Sequence, residues 1–164
     1  MHSQLETDRL IIRPLSLNDA EFILELLNSK GWIKYIGDRK VVDLNGAQEY
    51  IKKILEKENF SYNVFEIKET NVPIGIVTFL YRKEFDFPDI GYAMLPNFEK
   101  KGYAFEATKH YLAHVQNNKS IKKVIAITLP GNSNSINLLE KLGLKYESSY
   151  FEDQTQLSLY SIVF

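Results

Sequence analysis

Apolar positions along the chain follow two alternating rhythms. Leu10 to Leu15 is a short apolar run, broken by Arg13 and ended near Pro14, that reads as a strand. Ser16 with Asp19 three residues on forms a weak capping box, and Phe22, Ile23, Leu26 and Leu27 follow at helical spacing. Asn28 to Asp43 is punctuated by glycine and carries Trp32, Tyr35 and Ile36, which suggests a loop folded back over something apolar. Asp43 then caps a helix in which Ala47, Tyr50, Ile51, Ile54 and Leu55 share one face. Tyr62 to Ile67, Ile74 to Arg82 and Ile90 to Leu95 are strand-like, and the first two are joined by a segment of hairpin length. Tyr103 to Val115 returns to helical period, Val124 to Leu129 reads as a buried strand, and Asn132 to Leu142 is a helix ended by Gly143. Two strands, Tyr146 to Phe151 and Gln156 to Val163, complete the order βααβββαβαββ. Hairpins combined with a strand–helix–strand crossover predict an α/β (α+β) fold with a mixed, mostly antiparallel sheet and about four helices, not a doubly wound parallel one.

Composition narrows the possibilities. The 164 residues, 45% hydrophobic and 25% charged, suit one domain spanning residues 1–164, and no linker or repeat divides them. Twenty basic residues against 21 acidic ones give a formal charge of −1, which argues against a dedicated nucleic-acid binder and leaves no polybasic membrane anchor. Cysteine is absent, which removes disulfides, thiolate metal sites and cysteine nucleophiles. The start, Met1 to Arg9, is polar, and no apolar run approaches the ~18 residues of a membrane span. The expectation is a soluble, cytoplasmic protein.

The stretch Asp89-Ile90-Gly91-Tyr92-Ala93-Met94-Leu95-Pro96-Asn97-Phe98-Glu99-Lys100-Lys101-Gly102-Tyr103-Ala104-Phe105-Glu106-Ala107 carries the chemistry. A strand stops at a proline, a short polar loop follows, and a helix begins beside Gly102. A helix start leaves backbone N–H groups unpaired at the positive end of the dipole, where a phosphate can sit. Neither the dinucleotide fingerprint nor the G-x-x-x-x-G-K-[ST] loop is present, and an ordinary strand–loop–helix junction with solvated lysines is the competing explanation. A second element, Asn132-Ser133-Asn134-Ser135-Ile136-Asn137-Leu138-Leu139-Glu140-Lys141-Leu142-Gly143-Leu144, also follows a strand and opens a helix.

Together these stretches resemble the GNAT superfamily of N-acetyltransferases. Its motif [RQ]-x-x-G-x-[GA] aligns with Glu99 to Ala104, and its later N-x-x-[AS] and E-K-x-G-F signatures align with Asn132 to Leu144. Leu5 to Pro14, Tyr35-Ile36-Gly37-Asp38 and Ile90-Gly91-Tyr92 look like the branch of ribosomal-protein alanine N-acetyltransferases. The resemblance implies that the fourth and fifth predicted strands splay apart to admit acetyl-CoA as cosubstrate. Backbone N–H groups of Lys100, Lys101, Gly102, Tyr103, Ala104 and Phe105 would hold the pyrophosphate. Met94 and Leu95 would pair with the pantetheine amides, Asn132 and Asn137 would touch that arm from the other side, and Lys100 or Lys101 would reach the 3′-phosphate. Two departures stand out. Glu99 occupies a position usually Arg or Gln, and Leu139 one often held by a tyrosine that protonates the leaving thiolate. Tyr92 and Ser135 are the substitutes.

With no cysteine for a covalent intermediate, direct attack by a neutral amine is the mechanism implied. An α-amino group, of pKa about 7.7–8.0, needs less help than a lysine near 10.4. Asp89 is the candidate base, with capping of the loop after Pro88 as its structural alternative. Trp32 and Tyr35 are the acceptor-pocket candidates, with core packing as theirs. Glu84, Asp86 and Asp89 form an acidic group, with Phe85 and Phe87, that suits either a cationic acceptor or a solvated loop. His110 and His114 stand four apart on a helix but lack further ligands, so no metal is expected. The implied partners are acetyl-CoA and an amine, a peptide N-terminus or a small molecule, with the chain a monomer or homodimer. A coenzyme-A-binding sensor with little or no activity is the alternative, motivated by Leu139 and Glu99.

Overall fold

The computed structural model describes residues 4–164; Met1 to Ser3, the head of the polar start, lie outside the described residues. Eight strands form one sheet in the order β1-β2-β3-β4-β5-β6-β8-β7. They are β1 (Leu5–Glu6), β2 (Leu10–Pro14), β3 (Phe60–Ile67), β4 (Val72–Leu80), β5 (Asp89–Met94), β6 (Lys123–Thr128), β7 (Lys145–Glu152) and β8 (Thr155–Val163). Every neighbouring pair is antiparallel except β5–β6. Five α-helices cover the sheet: α1 (Ala20–Leu27), α2 (Lys30–Tyr35), α3 (Leu44–Leu55), α4 (Tyr103–Gln116) and α5 (Ser133–Lys141). The mixed, mostly antiparallel architecture is the one expected, with one strand and one helix added. None of these helices is long and apolar enough to cross a membrane.

Local chemistry explains most boundaries. The Asp43 carboxylate accepts the Gly46 N–H at 2.7 Å and starts α3. Asp19 accepts the Ser16 N–H at 2.9 Å, and its buried carboxylate also receives two hydrogen bonds from Arg13, tying the first helix to β2. At the end of α5, Gly143 takes φ +94° while its N–H bonds Glu140 O and that of Leu144 bonds Leu139 O, both at 3.0 Å. Asp153 (φ +46°) and Gln154 (φ +69°) make the two-residue turn between β7 and β8. The stretch expected to be a loop, Asn28 to Asp43, contains α2. Only Trp32 of its six residues is buried, so it shows no apolar stripe.

Alternation along the strands divides the interior in two. Phe65, Val77 and Ile90 join α4 and Leu139 of α5 in one cluster. Val64 and Ile76, their chain neighbours in β3 and β4, join α1, α2 and α3 in the other. Gly75 of β4 lies where the sheet has no room: an added Cβ would meet the Phe65 ring and come within 2.6 Å of Ala93 O. Gly75→Ala should therefore lower stability by about 1–3 kcal/mol, read as a fall in the denaturant midpoint. An unchanged midpoint would show that Phe65 moves aside at no cost.

Candidate active site

The sheet opens in the middle. β5 and β6 share one ladder pair, Asp89 with Ile125, supported by the Ile125 N–H donating to Pro88 O at 2.9 Å. Beyond it the strands part, β5 held by β4 and β6 by β8. This is the splay expected from the motifs. The Leu95 N–H donates to Ile74 O at 2.8 Å, on the β4 side. Backbone direction alternates along a strand, so Ile90, Tyr92 and Met94 turn their N–H and C=O groups towards the gap. The pairing expected of Leu95 is thereby corrected: its N–H is taken by Ile74 and its C=O by the Phe98 N–H. Tyr92 joins Met94 at the free edge instead.

After β5 the chain forms a loop whose backbone is shaped to receive an anion. Lys100 (φ +62°) and Gly102 (φ +80°) are left-handed, and Gly102 is the N-cap of α4. Such alternation turns successive N–H groups inward, as in anion-binding nests. No side chain caps this end, and the first helical bond, Glu106 N–H to Gly102 O, leaves the N–H groups of Tyr103, Ala104 and Phe105 free of backbone partners among the described residues. The donor set fits a pyrophosphate. Lys100 and Lys101 are exposed, and Lys101 leans over the Phe98 ring at 6.0 Å. Two further lysines, Lys109 of α4 and Lys141 of α5, stand over the Phe105 ring at 5.6 and 4.8 Å. Glu99 is exposed.

Across the gap, Asn132 caps α5 by accepting the Ser135 N–H at 3.3 Å, and Asn137 is exposed on that helix. Leu139, 3% exposed, fills the core where a tyrosine would otherwise stand. Tyr92 and Ser135, read separately as substitute acids, are brought together. Burial pushes the Tyr92 phenol up, the neighbouring Ser135 pulls it down, and Glu99 pushes it up again; the net is upward. It therefore stays protonated and able to donate.

Asp89 occupies the point of divergence, 5% exposed. It does not cap the loop after Pro88; its Oδ2 is paired with Arg82 Nε at 2.8 Å. Burial pushes its pKa up to about 6, against the opposing pull of Arg82. Glu84 and Asp86 are exposed, so the expected acidic group is divided between surface and core. Phe85 packs edge-on against Tyr150 of β7 at 5.6 Å, and Phe87 lies under Lys123 at 4.9 Å. The Tyr150 phenol is raised first by burial and then by Glu152, with Arg82 opposing and Asp89 and Glu84 adding, so several carboxylates surround it.

A cavity of about 330 Å³ lies between the end of α2 and the β7–β8 turn, lined among others by Lys34, Tyr35, Ile36, Leu129, Glu152 and Asp153. Leu129 follows β6 directly, so the cavity lies beside the end of that strand. Tyr35 lines this cavity, whereas Trp32 is 6% exposed and packed in the α1–α3 cluster, its Nε1–H without a partner among the described residues. His110 and His114 are exposed on α4, and among the described residues no three His, Asp or Glu side chains gather as a metal site.

A sheet parted beside an uncapped helix start defines the acyltransferase architecture anticipated from the motifs. The model of the acetyltransferase (GNAT) domain matches residues 9–145, and the chain belongs to that family. The uncharacterized N-acetyltransferase YnaD of Bacillus subtilis is 26% identical over 147 residues, 89% of this chain and 85% of that protein. The ribosomal protein uS5-alanine N-acetyltransferase of Escherichia coli is 26% identical over 155 residues, 88% and 79% of the two chains. Among solved structures, RimL, a ribosomal L7/L12 α-N-protein acetyltransferase in complex with coenzyme A, superposes with a TM-score of 0.84 at 11% identity, covering 98% of each chain. The protein is an acetyltransferase enzyme of GNAT type, similar to the ribosomal-protein alanine branch.

Arg9, Arg82, Glu152 and Asp153 were not singled out from the sequence. Arg9 meets a partner nearly a hundred residues away, Glu152 and Asp153 stand at the β7–β8 turn, and Arg82 meets Asp89 across the connection from β4 to β5, so no local spacing marks them. Gly102→Glu should abolish coenzyme A binding without unfolding the protein, because a side chain at φ +80° is strained and its Cβ would come within 3.4 Å of Arg9 Nη2, pulling the loop and its N–H groups out of place. Calorimetry with coenzyme A checks this; retained affinity would place the phosphates elsewhere.

Proposed function

We propose that the protein transfers an acetyl group from acetyl-CoA directly to a primary amine held in the cavity between α2 and the β7–β8 turn. The acceptor is a protein N-terminal α-amino group or a small-molecule amine, and the setting is the cytoplasm. The observation that carries this reading is the parting of β5 from β6 after Asp89, with uncapped backbone N–H groups at the start of α4 beside it and a cavity bearing Glu152, Asp153 and Lys34 beyond the end of β6.

When bound, acetyl-CoA supplies an activated acyl carbon and a thiolate leaving group. The cradle from Lys100 to Phe105 anchors its pyrophosphate, and the edge of Tyr92 and Met94 aligns its arm as an added strand, with Asn132 and Asn137 on the far side. Glu152 and Asp153 attract the cationic form of the acceptor, beside Tyr35. Asp89, ionised above pH about 6, takes the proton given up as the nitrogen bonds to the acyl carbon, directly or through a water. The Met94 N–H stabilises the charge that gathers on the acyl oxygen. As the carbon–sulfur bond breaks, the Tyr92 hydroxyl, beside Ser135, returns a proton to sulfur.

Thiol release from acetyl-CoA, measured with pools of peptides and of small amines, tests the reading. Turnover is expected with one pool, and neutralising Glu152 and Asp153 together should raise the acceptor KM about tenfold, the effect of ~1.4 kcal/mol, with the acetyl-CoA KM unmoved. Tight coenzyme A binding without turnover for any amine would favour a sensor. The kcat/KM profile should fall on the acid side with a midpoint near pH 6, as Asp89 takes up its proton. In Asp89→Asn that limb should vanish and the plateau drop by about 10²-fold or more; a profile unchanged in shape would remove Asp89 from proton transfer.

A further inference from the structure

Arg9 lies at the start of β2, nearly a hundred residues from the cradle, and grips it from behind. Its Nη1 donates to Lys101 O at 2.9 Å and its Nε to Glu106 Oε2 at 2.7 Å, while the guanidinium stacks on the Tyr103 ring at 4.3 Å. The backbone N–H of Arg9 and the Thr7 hydroxyl hold the other oxygen of Glu106, at 2.9 and 2.6 Å. Burial pushes the Glu106 carboxyl up, but these hydrogen bonds and the Arg9 charge outweigh it and hold it below the usual range. The carboxylate is therefore ionised wherever the protein is folded near neutral pH.

The bond to Lys101 O has a directional consequence. A trans peptide points its C=O and N–H in opposite directions. Fixing the Lys101 carbonyl towards Arg9 turns the Gly102 N–H to the opposite side, into the cradle. We propose that Arg9 is a positioning residue for the cofactor: it presets the anion cradle in its left-handed conformation. This rests on reading Lys100 to Phe105 as the pyrophosphate cradle.

The experiment compares two acyl donors, acetyl-CoA and S-acetylpantetheine, which shares the arm but lacks the pyrophosphate. Binding of coenzyme A and of pantetheine is measured by calorimetry alongside. In Arg9→Met the acetyl-CoA KM and the coenzyme A Kd should rise at least tenfold, with the pantetheine Kd and the kcat/KM for S-acetylpantetheine unchanged. Arg9→Lys, which keeps the charge and one donor, should fall between Met and wild type, and it serves alone if the Met variant does not fold. An equal loss for both donors would mean that Arg9 merely supports the fold, and no loss for either would mean that the cradle stands without it; both overturn the proposal. A wild-type protein that prefers neither donor would instead overturn the assignment of the cradle itself, which separates that failure from a failure of Arg9.

Discussion

The single ladder pair between Asp89 and Ile125 governs the rest of the molecule. One more pair would close the sheet and seal the gap; one fewer would leave β5 and β6 as edges of separate sheets. Each strand can let go because its other side is fully bonded, β5 to β4 and β6 to β8. The free edge of Tyr92 and Met94 is then a row of backbone groups that either water or an extended ligand must satisfy. A pantetheine arm, with two amides along an otherwise apolar chain, suits that edge as a strand would.

The cradle depends on a different balance. Lys100 is a non-glycine residue at φ +62°, a conformation that costs about 1–2 kcal/mol. Strain of this kind persists where surrounding contacts over-determine it. The bonds from Arg9 to Lys101 O and to Glu106 are such contacts, and they join the loop to β2 across the width of the sheet. Leaving the helix start uncapped is the other half of the arrangement. A Ser or Asp at the N-cap would satisfy the donors that a phosphate needs.

Features whose cause is local were legible in the sequence. The stripe of α3, the Asp43 cap and the stop at Gly143 follow from residues within one or two turns of each other. What escaped is non-local or lacks a side-chain signature. β1 is two residues defined by backbone pairing with β2, and α2 buries one side chain. The displacement of Leu95 from the gap edge follows from strand parity, which needs the register with β4. The cavity is made of α2 and the β7–β8 turn, more than a hundred residues apart, so neither half announces the other.

Asp89 shows which demand the fold yields to. A carboxylate serving only as half of a structural ion pair is held below its ordinary pKa, and its contribution is lost as pH falls. Asp89 is shifted the other way, because burial outweighs Arg82. Between pH about 4 and 6 the native state keeps a proton that the unfolded chain has released, so stability declines as pH rises through that window and stays lower above it. At pH 7 the buried charge is thus a net cost, of the kind associated with functional sites. Asp89→Asn removes the charge without changing the shape, so the variant should be more stable than wild type at pH 7 and alike at pH 4, where both side chains are neutral. Denaturant melts at the two pH values decide it. A variant less stable at pH 7 would make the pair with Arg82 a structural bond, and the proton-transfer role would then have no thermodynamic trace.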